Sequence, residues 1–188
     1  MAKLVVSQFM SVDGYVGDPG GSEGSNRGGW AFRFDRGQDG DRFKFDEVMA
    51  AEALLLGRVT YEGFAAAWPG RTDDVGFADK FNGMAKFVVS STMGKAEWNN
   101  STILPSVDAV PAIKAGLTGD LLVNGSATLV AALADRNLVD EYRLMVFPTL
   151  LGEGPRLFSG SASAHALRLT GTRPVGPDGV VVLTYEPA

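Results

Sequence analysis

The chain of 188 residues is 45% apolar and 21% charged, a size and balance that fit one folded domain with its own core. Its net charge of −5 gives no electrostatic support to a nucleic-acid or anionic-membrane partner. It has no cysteine and one histidine, His165, which excludes disulfides, thiolate catalysis and a Cys- or His-built metal site.

No run approaches ~18 consecutive apolar residues, and the segment MAKLVVSQFM lacks the longer apolar core of a secretory signal. The expectation is a cytoplasmic protein with no membrane partner and no metal.

Taken in chain order, residues 3–9 read as a buried strand, and Val12–Gly17 as a turn with a short apolar return. Residues 17–29 carry six glycines and read as a flexible loop, more often functional than idle when set inside a compact domain. Trp30–Phe34 closes it. Asp41–Ala51 reads as a helix, Ala53–Leu56 as a buried strand, and Thr60–Ala67 as a short helix ended by Trp68-Pro69-Gly70. A polar loop, Arg71–Gly76, leads to a helix over Phe77–Met84 and a strand over Lys86–Val89. Trp98–Leu104 reads as loop and edge strand. Val107–Ala115 is helical, and Pro111 suits only its start. Asp120–Val123 is a strand, Ala127–Asp135 a helix and Glu141–Phe147 a long strand. Residues 148–165 are irregular, and Leu167–Thr172 with Val180–Tyr185 alternate like an antiparallel pair around Gly176–Gly179. Strands that alternate with helices and then give way to a hairpin predict one α/β domain over 1–188, with a mostly parallel mixed sheet and antiparallel strands at its end.

Three strand-to-turn junctions carry candidate chemistry. In Gly57-Arg58-Val59-Thr60 a strand hands over to a helix with a guanidinium and a hydroxyl at hand, a receptor for phosphate. Ser90-Ser91-Thr92 ends another strand in hydroxyls. Val123-Asn124-Gly125-Ser126-Ala127-Thr128 turns into a helix through small residues that let a ligand approach the backbone. Each alone also fits plain capping or a plain turn. Together they fall where ligands gather in open α/β sheets, beyond the carboxyl ends of strands.

Leu56–Glu62 (LGRVTYE) resembles the GRxTWE segment of dihydrofolate reductases, and Ser11–Gly17 (SVDGYVG) resembles their first strand entering a mobile loop. Leu138–Glu141, Pro148 and Leu150–Gly154 are more similar to the reductase domain of riboflavin biosynthesis. The likeness covers nearly the whole chain and implies a three-layer α/β/α fold. It implies an NADPH-dependent reductase of a small heterocyclic or sugar-like substrate, similar to dihydrofolate reductase or to 5-amino-6-(5-phosphoribosylamino)uracil reductase. Arg58 would then meet the 2′-phosphate, with Ser90, Ser91 and Thr92 nearby. Gly57, Thr60, Val123 and the turn Gly125–Thr128 (with Ser126 and Ala127) would hold the pyrophosphate.

The same resemblance places Val16 and Gly17 beside the nicotinamide. Gln8, Phe9 and Trp30 would line the cleft, with residues 17–29 as a lid and a homodimer built on Tyr142–Phe147 and Pro148–Gly154. Two positions depart from the family. A glycine pair is Asn124-Gly125 here, and the acidic substrate-pocket residue has no clear counterpart: Asp39, Asp41 and Asp46 lie in the right region without a matching motif. A domain that binds a nucleotide or heterocycle without turnover is the alternative. Bland readings fit the remaining residues: a solvated His165, packing roles for Trp68 and Trp98, and Asp140-Glu141 capping a turn or facing solvent.

Overall fold

Leu4–Val6, Leu54–Leu56 and Leu121–Val123 are apolar at consecutive positions, and strands apolar on both sides require cover on both faces of their sheet. A computed structural model, describing residues 2–188, supplies that cover. Its strands are β1 (Leu4–Ser11), β2 (Ala51–Gly57), β3 (Ala85–Val89), β4 (Ser101–Leu104), β5 (Asp120–Asn124), β6 (Glu141–Phe147), β7 (Leu167–Val175) and β8 (Val180–Pro187). Its helices are α1 (Gly37–Ala50), α2 (Arg58–Ala67), α3 (Phe77–Gly83), α4 (Val110–Ala115) and α5 (Ala127–Asp135).

The eight strands form one sheet in the order β4-β3-β2-β5-β1-β6-β8-β7. Neighbours from β4 to β6 are parallel; β8 runs antiparallel to β6 and to β7. The period of two sorts each strand. Val6, Leu55 and Val123 face Val110 of α4 and Val130 and Leu133 of α5, while Val5, Leu54, Leu56 and Leu122 face Val48 of α1, Tyr61 of α2 and Phe81 of α3. Each such leucine, fully buried, contributes roughly 1.5–3 kcal/mol of transfer free energy. A third cluster, built on Trp30, Phe147, Val175 and Val182, closes the antiparallel end.

The sequence expectations hold for most elements. Pro111 sits at the start of α4, after a 3-10 turn over Val107–Ala109, and Trp68 and Trp98 pack in the α2–α3 cluster. Three expectations need correction. α1 begins at Gly37, so Asp41 lies inside the helix rather than opening it. Glu141 does not face solvent: it is 8% exposed, accepts from Lys3 Nζ at 2.8 Å and from Arg143 Nε at 2.5 Å. Burial pushes its pKa up, but those two cations outweigh burial and hold it below the ordinary value. The Gly-rich segment 17–29 is organised around a buried carboxylate. Asp18 accepts from the backbone N–H groups of Glu23 and Ser25, both at 3.0 Å.

Lys86 is also fully buried, which its place at the start of a strand gives no hint of. Its ammonium donates to the carbonyls of Asn82, Met84 and Asn99 and lies 4.3 Å from the Trp98 ring centroid. Burial lowers its pKa to about 8. It ties the end of α3 to the approach to β4, at the edge of the sheet away from the carboxyl ends.

Candidate functional site

β2, β5 and β1 are neighbours, so their carboxyl ends bring two of the junctions together. β2 enters α2 through Gly57, β5 enters α5 through Gly125-Ser126, and neither helix has a side chain capping its first turn. Two adjacent helix N-termini therefore present first-turn N–H groups at one place, which favours an anion.

Ser126 joins the junctions. Its Oγ accepts from the Gly57 N–H at 2.9 Å and donates to Thr60 Oγ1 at 2.8 Å. Gly57 must be glycine here, since a Cβ would lie 2.8 Å from Ser126 Oγ. Gly125 has φ +72°, and a Cβ on it would lie 2.9 Å from Thr60 Cγ2. Gln8, from β1, donates to the Gly125 carbonyl at 2.6 Å and fixes the turn against the sheet. Val123 is fully buried beneath it, and Ala127 and Thr128 open α5.

Arg58 is exposed at the first position of α2 and is engaged by Glu62 one turn on, at 2.9 and 3.1 Å. An exposed pair of this kind is worth little, so the guanidinium can exchange partners. Ser90, Ser91 and Thr92 follow β3, next to β2. Ser90 Oγ accepts from the N–H groups of Thr92 and Met93, so that hydroxyl caps its own turn. Arg58 and Thr92 share the wall of an open hollow of about 770 Å³ between α2 and residues 92–98.

Beyond β1 the chain is braced. The Val16 N–H donates to the Pro155 carbonyl at 3.0 Å, and Gly17 lies against the Pro155 ring. Asp13 accepts from Ser11 Oγ and from the N–H groups of Leu151 and Gly152. Burial pushes the Asp13 pKa up, but these donors prevail and hold it at about 2. The ionised form is therefore the one that tethers residues 148–154 to the first turn.

Trp30 is 1% exposed, packs edge-on against Phe147 at 5.5 Å between ring centroids and donates from Nε1 to the Gly17 carbonyl at 2.8 Å. Its ring presents no free surface to a ligand; it pins the Gly-rich segment to the domain.

The carboxylates expected on the substrate side point elsewhere. Asp39 accepts from the Gly176 N–H of the β7–β8 turn at 3.1 Å, Asp41 pairs with Arg36 at 2.6 Å, and Asp46 pairs with Arg42 at 2.7 Å on the exposed side of α1. Phe9, half-buried, stands between Arg36 and Lys44, whose cationic groups lie 5.2 and 5.3 Å from its ring centroid.

Sequence reasoning missed what lies beneath Phe9. Ser7 Oγ donates to Glu47 Oε2 at 2.9 Å, and Lys44 Nζ donates to both Ser7 Oγ and Glu47 Oε2 at 2.6 Å. A lysine and a glutamate three apart on a helix look like a solvated face. Only the packing of α1 on β1 shows that the Glu47 side chain is 2% exposed. His165 is exposed and lies 3.3 Å from Asp135, a carboxylate already engaged by Ser161 Oγ and the Ala162 N–H.

Comparison with known proteins bears on the family and the fold. A family model described as the RibD C-terminal domain matches residues 2–181. YyaP, an uncharacterised protein of Bacillus subtilis strain 168, is 25% identical over 98% of this chain and 94% of its own length. A solved protein from Shewanella sp. PV-4 named for riboflavin biosynthesis superposes with a TM-score of 0.76 at 21% identity, over 100% of this chain and 99% of its own. Dihydrofolate reductase from Enterococcus faecalis, solved in complex with NADP(H), superposes with a TM-score of 0.63 at 17% identity, over 98% and 96%. The two solved structures share the fold: an α/β domain with an eight-stranded, mostly parallel sheet and an antiparallel end, similar to dihydrofolate reductase. The chain belongs to the family of RibD C-terminal domains.

Proposed function

We propose that this protein is an NADPH-dependent reductase of a small, flat heterocyclic or sugar-like substrate. The observation that carries the reading is the Ser126 linkage: it locks two uncapped helix N-termini side by side, with Arg58 at their rim. That set offers N–H donors, hydroxyls and one guanidinium, which fits a pyrophosphate flanked by a further phosphate. Bound there, the cofactor supplies a hydride.

The chain's own residues do the rest. Gly57, Thr60 and Gly125–Thr128 bind the pyrophosphate, and Arg58 exchanges Glu62 for the 2′-phosphate, with the hydroxyls of Ser91 and Thr92 beside it. Val16 and Gly17, braced by Pro155, flank the nicotinamide. Gln8 holds the cofactor turn, while Phe9, on the other face of β1, meets the substrate. The segment 17–29 excludes water.

Titration with NADPH and NADH tests this. NADPH is expected to bind the tighter. Arg58→Ala is expected to weaken NADPH about 10- to 30-fold, the lower end of a charge-assisted hydrogen bond of ~1.5–3 kcal/mol at a partly exposed site, with NADH little changed. Equal affinities in the unaltered protein, or a variant that loses both cofactors alike, would remove the 2′-phosphate role.

We also propose a homodimer. On the α5 side of the sheet, β6, β8 and β7 leave Val146, Leu183 and Tyr185 only partly covered, with Leu169 51% and Phe158 44% exposed beside them. This apolar face continues an existing core and suits a second copy of itself. Sedimentation at micromolar concentration should show a dimer, and Leu169→Glu a monomer; a monomeric unaltered chain would contradict it.

A further inference from the structure

β1 divides the site in two. Its alternation sends Gln8 toward the cofactor turn on the α5 side and sends Ser7 and Phe9 toward α1. On that second face the cleft has one ammonium, Lys44, with a carboxylate behind it. Glu47 is buried, its Oε1 has no hydrogen-bond donor among the described residues, and its second cation, Arg143, stands off at 3.6 Å. Lys44 is the group that faces outward. Its side chain is 18% exposed, lies beside the Phe9 ring and borders a hollow of about 540 Å³ between α1 and residues 73–77.

An ammonium has three N–H donors. Ser7 Oγ and Glu47 Oε2 take two, and the third has no protein acceptor among the described residues. A buried ion pair gains little over apolar side chains of the same volume, so stability alone does not account for it.

We propose that Lys44 donates the proton that completes reduction of the substrate and that Glu47 positions it; this rests on the reductase reading above. When a hydride reaches the carbon of a C=N or C=O bond, the π electron pair moves onto the heteroatom. That atom takes a proton from Lys44 Nζ, and the N–H bond of the ammonium breaks. The neutral amine regains its proton from water in the hollow. The two electrons come with the hydride and the one proton comes from the lysine. The substrate therefore presents a lone-pair acceptor toward α1 and a flat face toward Phe9. Asp39, Asp41 and Asp46 need no part, since each is held by another group.

The test uses the full chain, NADPH, and two probe substrates: dihydrofolate and 5-amino-6-(5-phosphoribosylamino)uracil. Oxidation of NADPH is expected with at least one. Lys44→Met should then lower kcat about 10²- to 10⁴-fold, the range of a positioned general acid, with NADPH affinity unchanged. In the pH profile, the charged groups around Lys44 are Glu47, Asp41 and Arg42 on α1, Arg36 just before it on the Phe9 ring, Arg143 behind Glu47 on β6, and Asp73 across the hollow; β1 offers only Ser7 and Phe9, which do not titrate. Asp73 is engaged by the N–H groups of Val75, Phe77 and Ala78, which leaves Glu47 as the carboxylate in contact. Glu47→Gln should accordingly move the alkaline fall of kcat to lower pH.

Unchanged turnover in Lys44→Met, with the cofactor still bound, overturns this assignment and leaves the reductase reading intact. No oxidation of either probe by the unaltered protein overturns both. If Lys44→Met fails to bind NADPH and so has not folded, Glu47→Gln decides: an alkaline limb that does not move refutes the proposal.

Discussion

Gly125→Ala is expected to weaken NADPH binding while costing the fold about 1–2 kcal/mol, the penalty of an L side chain in the left-handed region. Gly125 has φ +72°, and the new methyl would meet Thr60 Cγ2 at 2.9 Å and Thr60 Oγ1 at 3.0 Å. Thr60 must yield, and it holds one end of the Ser126 linkage. A shift there unlocks α2 from α5 and separates the two sets of first-turn N–H groups. The loss in affinity should be at least about 10-fold, because several charge-assisted hydrogen bonds lengthen together. Thr60→Ser in the same chain removes Cγ2 and keeps the hydroxyl, so the double variant should recover part of both losses. Isothermal titration reads the affinity and urea denaturation the stability. Full NADPH affinity in the single variant would show that the pyrophosphate binds elsewhere.

Trp30→Ala carries the largest expected loss of stability, about 3–5 kcal/mol for a buried tryptophan. The indole is 1% exposed, meets Phe147 edge-on and ties the Gly17 carbonyl through Nε1. Its removal leaves a cavity in the cluster at the antiparallel end and an unpaired carbonyl at the root of the Gly-rich segment. Trp30→Phe keeps most of the packing but not the hydrogen bond, and should cost about 1–3 kcal/mol. The midpoint of urea unfolding distinguishes them. Faster proteolysis between residues 17 and 29 in both variants would show that the hydrogen bond, and not packing alone, holds the segment down. A variant Trp30→Ala as stable as the parent would contradict the role of the ring as an anchor.

The parts of this molecule legible in the sequence are those set by local pattern. Leu54–Leu56 and Leu121–Val123 announce buried strands because every position is apolar, and the turn after each announces itself through Gly57 and Gly125. The order of the strands was not legible. β5 lies between β2 and β1 although β3 and β4 precede it in the chain, and only the mutual fit of the strands decides that. The start of α1 was missed because Gly37 and Gly40 are poor helix formers and no apolar residue marks the first turn. Tertiary contacts hold it instead: Asp39 reaches Gly176, and Gly37 lies close against the Gly176 backbone. Segment 17–29 reads as flexible in sequence because its glycines hide the carboxylate around which it folds, Asp18. On the substrate side, Lys44 and Glu47 carry no pattern that separates a buried pair from a solvated one. Glu141 was obscured in the same way.

The proposed NADPH site lies across the joined N-termini of α2 and α5. Amide chemical shifts recorded during a titration with NADPH test it residue by residue. Saturable shifts are expected at Gly57, Arg58, Thr60 and Gly125–Thr128, with Arg58 and Thr92 responding more to NADPH than to NADH. Shifts absent from both first turns, or concentrated at sites away from them, would contradict it.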